Sequence, residues 1–341
     1  MRHIRLWVID GIMASGVTGP IDVFTAANAL WAHDRLANGE FEPLFDWRIE
    51  SPDGKPVRTA SGQVLYADGP INSRTKADAV IVFGPFTGGG PARFIKEFES
   101  LRPALEPLLA ALRRQHERGV LVASICAGSF VLAESGLLNG RIATTHWELA
   151  DAFRQRYPQI DLDASEVITE QDRLLCSGAA TSYFNLALRL VEKFAGASLA
   201  ATTARMLLID SNRISQASYK MLTVQDQQPH SDDLIARAQR WLEKHLQEAF
   251  LLANLAGYLA VSERTVSRRF KLATGETPLG YLQALRIDAA KRMLETTSLH
   301  VSVISERVGY GDLSTFRRLF KRQTGVSPRD YQQRFARRKR V

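Results

Sequence analysis

The chain has 341 residues, 45% of them hydrophobic and 23% charged, an ordinary balance for a globular protein and enough length for two cores. Its net charge of +8 is unevenly placed: residues 231–341 hold 21 Lys and Arg against 11 Asp and Glu, which leaves −2 for residues 1–230. No apolar run is long enough to span a bilayer, residues 4–9 are too short for a signal-peptide core, and two cysteines make no disulfide framework, so a cytoplasmic protein is expected.

In chain order, residues 4–9, 47–50, 79–83 and 120–124 read as strands. Residues 21–31, 105–117, 130–134, 148–156, 181–194 and 198–210 read as helices. This alternation predicts a three-layer α/β domain over residues 1–210, with a mostly parallel, flavodoxin-like sheet. Gly88, Gly89 and Gly90 read as a loop over a pocket, with no phosphate-loop lysine after it. The seven histidines lack metal spacing, and neither a metal nor another cofactor is expected.

Residues 120–129 run from an apolar strand through Ser124-x-Cys126-x-Gly128 into a helix, the pattern of a nucleophile elbow with cysteine in the nucleophile position. The helix N-terminus would favour thiolate. His146 lies downstream, and backbone N–H groups near Gly84 and at Ala127 could converge on an oxyanion or carboxylate. Gly84, Cys126, Ala127 and His146 are therefore the candidate effector pocket. Cys176 reads as a buried residue.

Residues 211–230, polar and rich in Gln and Ser, read as a linker, and residues 231–341 as an all-α domain built on a repeat. Leu255 and Leu259 recur as Ile304 and Val308, 49 residues on; Val266, Arg268, Phe270 and Lys271 recur as Phe316, Arg318, Phe320 and Lys321, 50 residues on. Thr274, Gly275, Pro278 and Tyr281 keep that second offset in Thr324, Gly325, Pro328 and Tyr331. The one-residue change falls in a turn, where an insertion is best tolerated. Each unit reads as a helix-turn-helix, capped by Ser262 in the first and by Asp312, after Gly309-Tyr310-Gly311, in the second.

The outer face carries Arg264, Thr265, Ser267 and Arg268 in the first unit and Ser314, Arg317, Arg318 and Lys321 in the second. Arginine can grip guanine with two hydrogen bonds, while Lys, Ser and Thr hold phosphates, and the second helix of such a motif enters the major groove. A helix over residues 281–294, with Leu282, Leu285, Ala289 and Met293 on one side, would hold the units roughly 20 Å or more apart. Arg337-Arg338-Lys339-Arg340 read as a solvated tail.

The segment 304–321, Gly325-Val326-Ser327-Pro328, Tyr331, and Tyr281-Leu282-Gln283-Ala284-Leu285-Arg286 together resemble the AraC/XylS family over residues 232–335. The likeness departs at Ser305, where that family has alanine, and at Gln332, where it has arginine. It implies a transcription regulator, with activation as the usual mode, double-stranded DNA as partner and RNA polymerase as a further one. Carried over, the base readers would be Arg264, Arg268, Leu313, Ser314 and Arg318.

Residues 1–210, above all 126–140 and Thr145-His146-Trp147, resemble the PfpI branch of the class I glutamine amidotransferase-like superfamily, and the regulators that fuse such a domain to an AraC module. That resemblance implies a small-molecule effector, a nitrogenous metabolite, and a homodimer through the N-terminal domain. Enzymes of that branch carry a glutamate four residues before a proline near the first βα turn. Here Pro20 is present but Gly16 stands in the acid's place, with Ala14, Ser15 and Val17 around it. Cys126 and His146 are therefore expected as pocket walls without catalysis; a cysteine-dependent amidase or hydrolase and a thiol redox sensor stand as alternatives.

Overall fold

The computed structural model describes residues 1–33, 42–211, 213, 215–219 and 232–336, and divides into two units, Met1–Gln216 and Ala217–Val341. Most of the expected linker and the tail 337–340 lie outside the described residues.

The first unit runs β1 (Arg2–Trp7), α1 (Ala14–His33), β2 (Phe45–Ser51), β3 (Val57–Arg58), β4 (Val64–Leu65), β5 (Gly69–Pro70), β6 (Ala79–Phe83) and α2 (Gly90–Glu117). It continues with β7 (Leu121–Ile125), α3 (Gly128–Glu134), β8 (Ile142–Ala143), α4 (Ala150–Arg156), β9 (Asp161–Leu162), β10 (Ile168–Gln171), β11 (Leu174–Ser177), α5 (Ser182–Ala195) and α6 (Ala197–Met206). The main sheet has the order β10-β11-β7-β6-β1-β2-β5, and within it every pairing among the described residues is parallel except β10 with β11. This is the expected mostly parallel α/β architecture. Both faces of the central strands are covered, so β6 and β7 are buried throughout and read as unbroken apolar runs.

Two helices start earlier than their apolar periodicity suggests. The first begins at Ala14, not residue 21, and carries Pro20 inside it. Gly19 is the reason that turn packs: a Cβ there would lie 2.2 Å from the Tyr183 ring of α5. The second begins at Gly90, not residue 105, and holds Pro103 and Pro107. Each proline removes a backbone donor and disfavours helix. The buried Phe94 and Phe98, stacked at 5.7 Å and both edge-on to Phe130, give α2 a seam that outweighs that loss.

Gln216 closes the unit beyond residue 210. It is fully buried, and its main chain follows residues 165–166 through Gln216 N–H to Ser165 O at 2.8 Å and a Glu166–Ser215 bridge.

The second unit is helical: α7 (Asp233–Lys244), α8 (Leu252–Leu259), α9 (Glu263–Thr274), α10 (Pro278–Thr296), α11 (Val301–Arg307), α12 (Leu313–Thr324) and α13 (Pro328–Phe335). It holds two cores. Ile235, Leu255, Leu259, Val266 and Phe270 fill the first; Ile304, Val308, Phe316, Leu319 and Phe320 fill the second. The connecting helix α10 has 19 residues, about 28 Å of helix. It serves both cores, with Tyr281 and Leu282 in the first and Ile287, Ala290 and Leu294 in the second. Leu285, Ala289 and Met293 are only partly buried against these cores, so the face that is buried is rotated from the one periodicity picked out.

Several contacts recur from one unit to the other. Phe270 meets Tyr281 at 5.5 Å and Phe320 meets Tyr331 at 5.4 Å, both edge-to-face. The hydroxyls of Thr274 and Thr324 donate to the Phe270 and Phe320 carbonyls at 2.7 and 2.8 Å. Gly275 and Gly325 end α9 and α12 in the left-handed conformation, at φ 76° and 77°.

Candidate functional site

In the second unit the candidate nucleic-acid face is set by its helix caps. The Ser262 hydroxyl accepts from Thr265 N–H at 3.2 Å, and the Asp312 carboxylate accepts from Ser314 and Thr315 N–H at 3.2 and 2.7 Å. Arg264 and Arg268 are exposed on α9, as are Ser314, Arg317, Arg318 and Lys321 on α12. Thr265, Ser267 and Leu313 are half-buried; Thr265 is tied to Ser262, and Leu313 packs on the second core. Among the described residues no ion pair holds Arg264, Arg268, Arg317, Arg318 or Lys321. Arg269, beside Arg268, turns inward, and its Nε and Nη2 donate to Asp232 at 2.9 and 2.6 Å. The two arginines are thereby sorted: Arg269 fastens α9 to the start of α7, and Arg268 pairs with no carboxylate among the described residues.

Arg286 of α10 fixes the second turn from within. It is buried, donates to the carbonyls of Leu246 and Glu248 at 2.8 and 2.6 Å, and lies over the Tyr310 ring.

In the first unit Gly84, Cys126, Ala127 and His146 border one cavity of about 630 Å³, its open mouth included. The cavity lies at the ends of β6 and β7. Chain order in the sheet reverses between β1 and β6, the place where open α/β sheets bind ligands. Glycine makes the close approach possible. A Cβ on Gly84 would lie 2.4 Å from the Ala127 carbonyl, and one on Gly128 would lie 2.5 Å from the Val82 carbonyl. Cys126 sits at the apex of a strained elbow, with φ at 55°.

Electrostatics depart from the expected acidic thiol. Burial pushes the Cys126 thiol up to about 11, and the Glu148 carboxylate adds to that rise, against a hydrogen bond from Ala127 N–H that lowers it. The helix dipole does not prevail because α3 has only seven residues and Phe83, Phe94, Ile125 and Leu149 make the surroundings apolar.

Burial likewise holds His146 down at about 4. Its Nδ1 accepts from Glu148 N–H at 3.2 Å, capping the short 3₁₀ turn Trp147–Leu149, so the ring is neutral at physiological pH. Gly16 itself lines the cavity, leaving no carboxylate from α1 at that wall.

Sequence reasoning missed Glu148, Thr87 and Tyr183, which also line the cavity. Glu148 was findable, two residues from His146 on the same turn. Thr87, whose Oγ1 is buried without a hydrogen-bond partner among the described residues, lies in a stretch with no periodic signal. Gly90 of the glycine triplet also lines the cavity, at the first position of α2.

Comparison with known proteins bears on both units. The DJ-1/PfpI family model matches residues 3–193, and a helix-turn-helix domain model matches residues 255–334. The HTH-type transcriptional regulator CdhR of Pseudomonas aeruginosa is 30% identical over 294 residues, covering 86% of this chain and 83% of that one. The HTH-type regulator GbdR of the same species is 25% identical over 316 residues, covering 92% and 81%. The HTH-type regulator ArgR, also from that species, is 27% identical over 230 residues, covering 67% and 69%. Among the described residues no helix is long and apolar enough to cross a membrane. The chain belongs to the DJ-1/PfpI family through its first unit and, as a whole, to the transcriptional regulators that join such a domain to an AraC-type helix-turn-helix domain.

Proposed function

We propose that the protein regulates transcription in response to a small nitrogenous cation bound in the cavity beside Cys126, and that it catalyses no reaction there. The observation that supports this reading is the cavity lining, in which the rings of Phe83, Phe86, Phe94 and Tyr183 stand together with Glu148. A carboxylate and aromatic faces together suit a cation with an apolar body, because the rings attract positive charge and the acid neutralises it. His146, neutral at physiological pH, adds no competing charge.

Three features speak against turnover: the thiol is protonated, the histidine is a weak base whose Nδ1 is occupied by a backbone donor, and glycine replaces the activating acid. DNA would be read through Arg264, Arg268, Leu313, Ser314 and Arg318, with Thr265, Ser267, Arg317 and Lys321 holding phosphates. A cytoplasmic location beside the DNA, a homodimer through the first unit and contact with RNA polymerase complete the reading.

The test is thermal unfolding of the full chain with arginine, choline and tetramethylammonium, each compared with acetate and urea. A ligand present at 100 times its Kd stabilises by about 2.7 kcal/mol, and its effect should vanish in Glu148→Gln. Equal shifts for cations and anions, or a cation shift that persists in Glu148→Gln, would refute the cationic assignment.

A further inference from the structure

Residue 216 lies outside both matched family models, which cover 3–193 and 255–334, yet Gln216 is fully buried within the first unit. Its Nε2 donates to Thr145 O at 2.8 Å, with longer contacts to Thr144 Oγ1 and Glu166 O, both at 3.2 Å. Its Oε1 accepts from Ala179 N–H at 2.9 Å. The neighbours fix which end of the amide is which, because the Thr145 and Glu166 carbonyls can only accept and the Ala179 N–H can only donate. The residue's own N–H donates to Ser165 O at 2.8 Å, so backbone and side chain are both anchored.

The two shortest hydrogen bonds of the amide each land just before a stretch of cavity wall. Thr145 leads into the 3₁₀ turn Trp147–Leu149, capped by His146, and from this stretch His146, Glu148 and Leu149 line the cavity. Ala179 leads into the start of α5, from which Ala180 and Tyr183 line it. Thr145 is also tied to the elbow: the Ser129 hydroxyl sits between the Cys126 carbonyl at 3.0 Å and the Thr145 hydroxyl at 2.7 Å. The amide is closely enclosed, since a Cβ on Gly178 would lie 2.4 Å from Gln216 Nε2.

We propose that Gln216 is a positioning residue of the cavity, its carboxamide pinning the 144–149 and 179–183 segments together so that His146, Glu148 and Tyr183 are held around the Cys126 sulfur. Groups that meet a ligand keep their geometry only when the residues behind them are themselves fixed. Part of the apparatus that shapes this cavity therefore lies beyond the stretch that matches the DJ-1/PfpI family. The inference rests on the proposed function only in treating the cavity as a ligand site; the packing of its wall is measured without ligand.

The Cys126 thiol reports that packing. In the full chain its thiolate attacks 2,2′-dithiodipyridine, forming a mixed disulfide and releasing pyridine-2-thione, whose absorbance gives the rate. Mass spectrometry assigns the adduct to Cys126, since Cys176 is buried. In Gln216→Ala the rate at pH 9 should exceed the parent's at least tenfold. Leu112→Ala, which opens the core at a residue of α2 that does not line the cavity, should stay within about twofold of the parent.

Gln216→Glu separates the hydrogen bonds from the volume. Burial raises a carboxyl pKa, so at pH 5 the introduced acid is protonated, donates to Thr145 O and accepts from Ala179 N–H. Its rate should then match the parent's at the same pH within about twofold. At pH 9 the ionised acid faces two carbonyls without a proton to give, and the variant should react at least tenfold faster than the parent. A parent-like rate in Gln216→Ala, an equal rise in Leu112→Ala, or the same excess for Gln216→Glu at both pH values would overturn the proposal. Loss of the circular-dichroism signal in Gln216→Ala, or in Gln216→Glu at pH 9, would make the residue part of the fold at large and overturn it too. Failure of every cation to raise the melting point would remove the effector assignment and leave these rates as expected.

Discussion

Ala260 and Gly309 hold the same place in the two helix-turn-helix turns, both left-handed, at φ 56° and 86°. Only one of them has room for a side chain. A Cβ on Gly309 would lie 2.7 Å from the Leu246 carbonyl and 2.8 Å from the Arg286 guanidinium. Gly309→Ala should therefore cost more than the roughly 1 kcal/mol that a left-handed alanine costs alone, about 2 kcal/mol or more in total. Ala260→Gly relieves that strain but loosens the unfolded chain, so its net effect should stay within about 0.5 kcal/mol. Urea unfolding of the full chain followed by circular dichroism measures both. Equal effects from the two substitutions would mean that the Leu246 contact is not the constraint.

Ser305 offers a stabilising change. It is 1% exposed in the second core, and its hydroxyl has no hydrogen-bond partner among the described residues. A buried hydroxyl left unpaired is unfavourable by about 1 kcal/mol or more. Ser305→Ala, which leaves no polar atom behind, should raise the stability of the second unit by that amount. A lower urea midpoint for the alanine variant would show that the hydroxyl is satisfied in solution.

Those two residues illustrate what could be read in advance. The basic domain was legible because its information is local: caps, turn glycines and apolar spacing recur at fixed offsets, and the contacts between Phe270 and Tyr281 or Phe320 and Tyr331 follow from the repeat. The first unit was legible as an alternation of strands and helices, and the elbow placed Cys126. Its surroundings were not legible, because they depend on which distant chain covers it. The pKa of Cys126 turns on Phe83, Phe94 and Glu148 meeting around the sulfur, and α2 extends through two prolines only because Phe94 and Phe98 find Phe130. Gln216 lay in a stretch without periodicity, and only its burial singles it out.

The exposed arginines and the lysine of the recognition helices should separate by role. Arg268→Ala and Arg318→Ala should each cost about 1–3 kcal/mol on the cognate site and relax base preference there. Lys321→Ala should weaken binding to all sequences alike and lower the slope of log affinity against log salt by about one unit. Footprinting on specific and random duplexes distinguishes them. Losses of the same size on both duplexes for Arg268→Ala would reassign it to the phosphate backbone.

His146 should make the first unit acid-sensitive. Its folded pKa is about 4, below the usual 6.5, so the unfolded chain takes up a proton first as pH falls. Above about pH 6.5 both states are neutral and the residue contributes no pH dependence. Between about 6.5 and 4 the native state loses stability relative to the unfolded one, and below 4 this loss levels off. His146→Gln should flatten that segment of a Tm-against-pH curve while leaving the neutral plateau close to unchanged. A variant with the same acid slope as the parent would place the sensitivity elsewhere.

Cys126 should behave as a wall with a slow thiol. With its pKa near 11, little thiolate exists at neutral pH, so alkylation by iodoacetamide should be slow at pH 7 and climb tenfold per unit through pH 9 and 10. A plateau reached by pH 8 would contradict the burial that sets this value. Cys126→Ser preserves the elbow and the polar contact with Ala127 N–H, so DNA affinity without effector should stay within about twofold. What should change is the effector concentration needed to alter that affinity, since the sulfur forms part of the cavity lining. Catalysis is tested on the same pair of proteins. Neither should turn over glutamine, amides or peptides above a boiled control, because a protonated thiol, a neutral histidine held by Glu148 N–H and glycine at position 16 leave no route to an activated nucleophile. Steady turnover by the parent that vanished in Cys126→Ser would overturn this and make the cavity an active site.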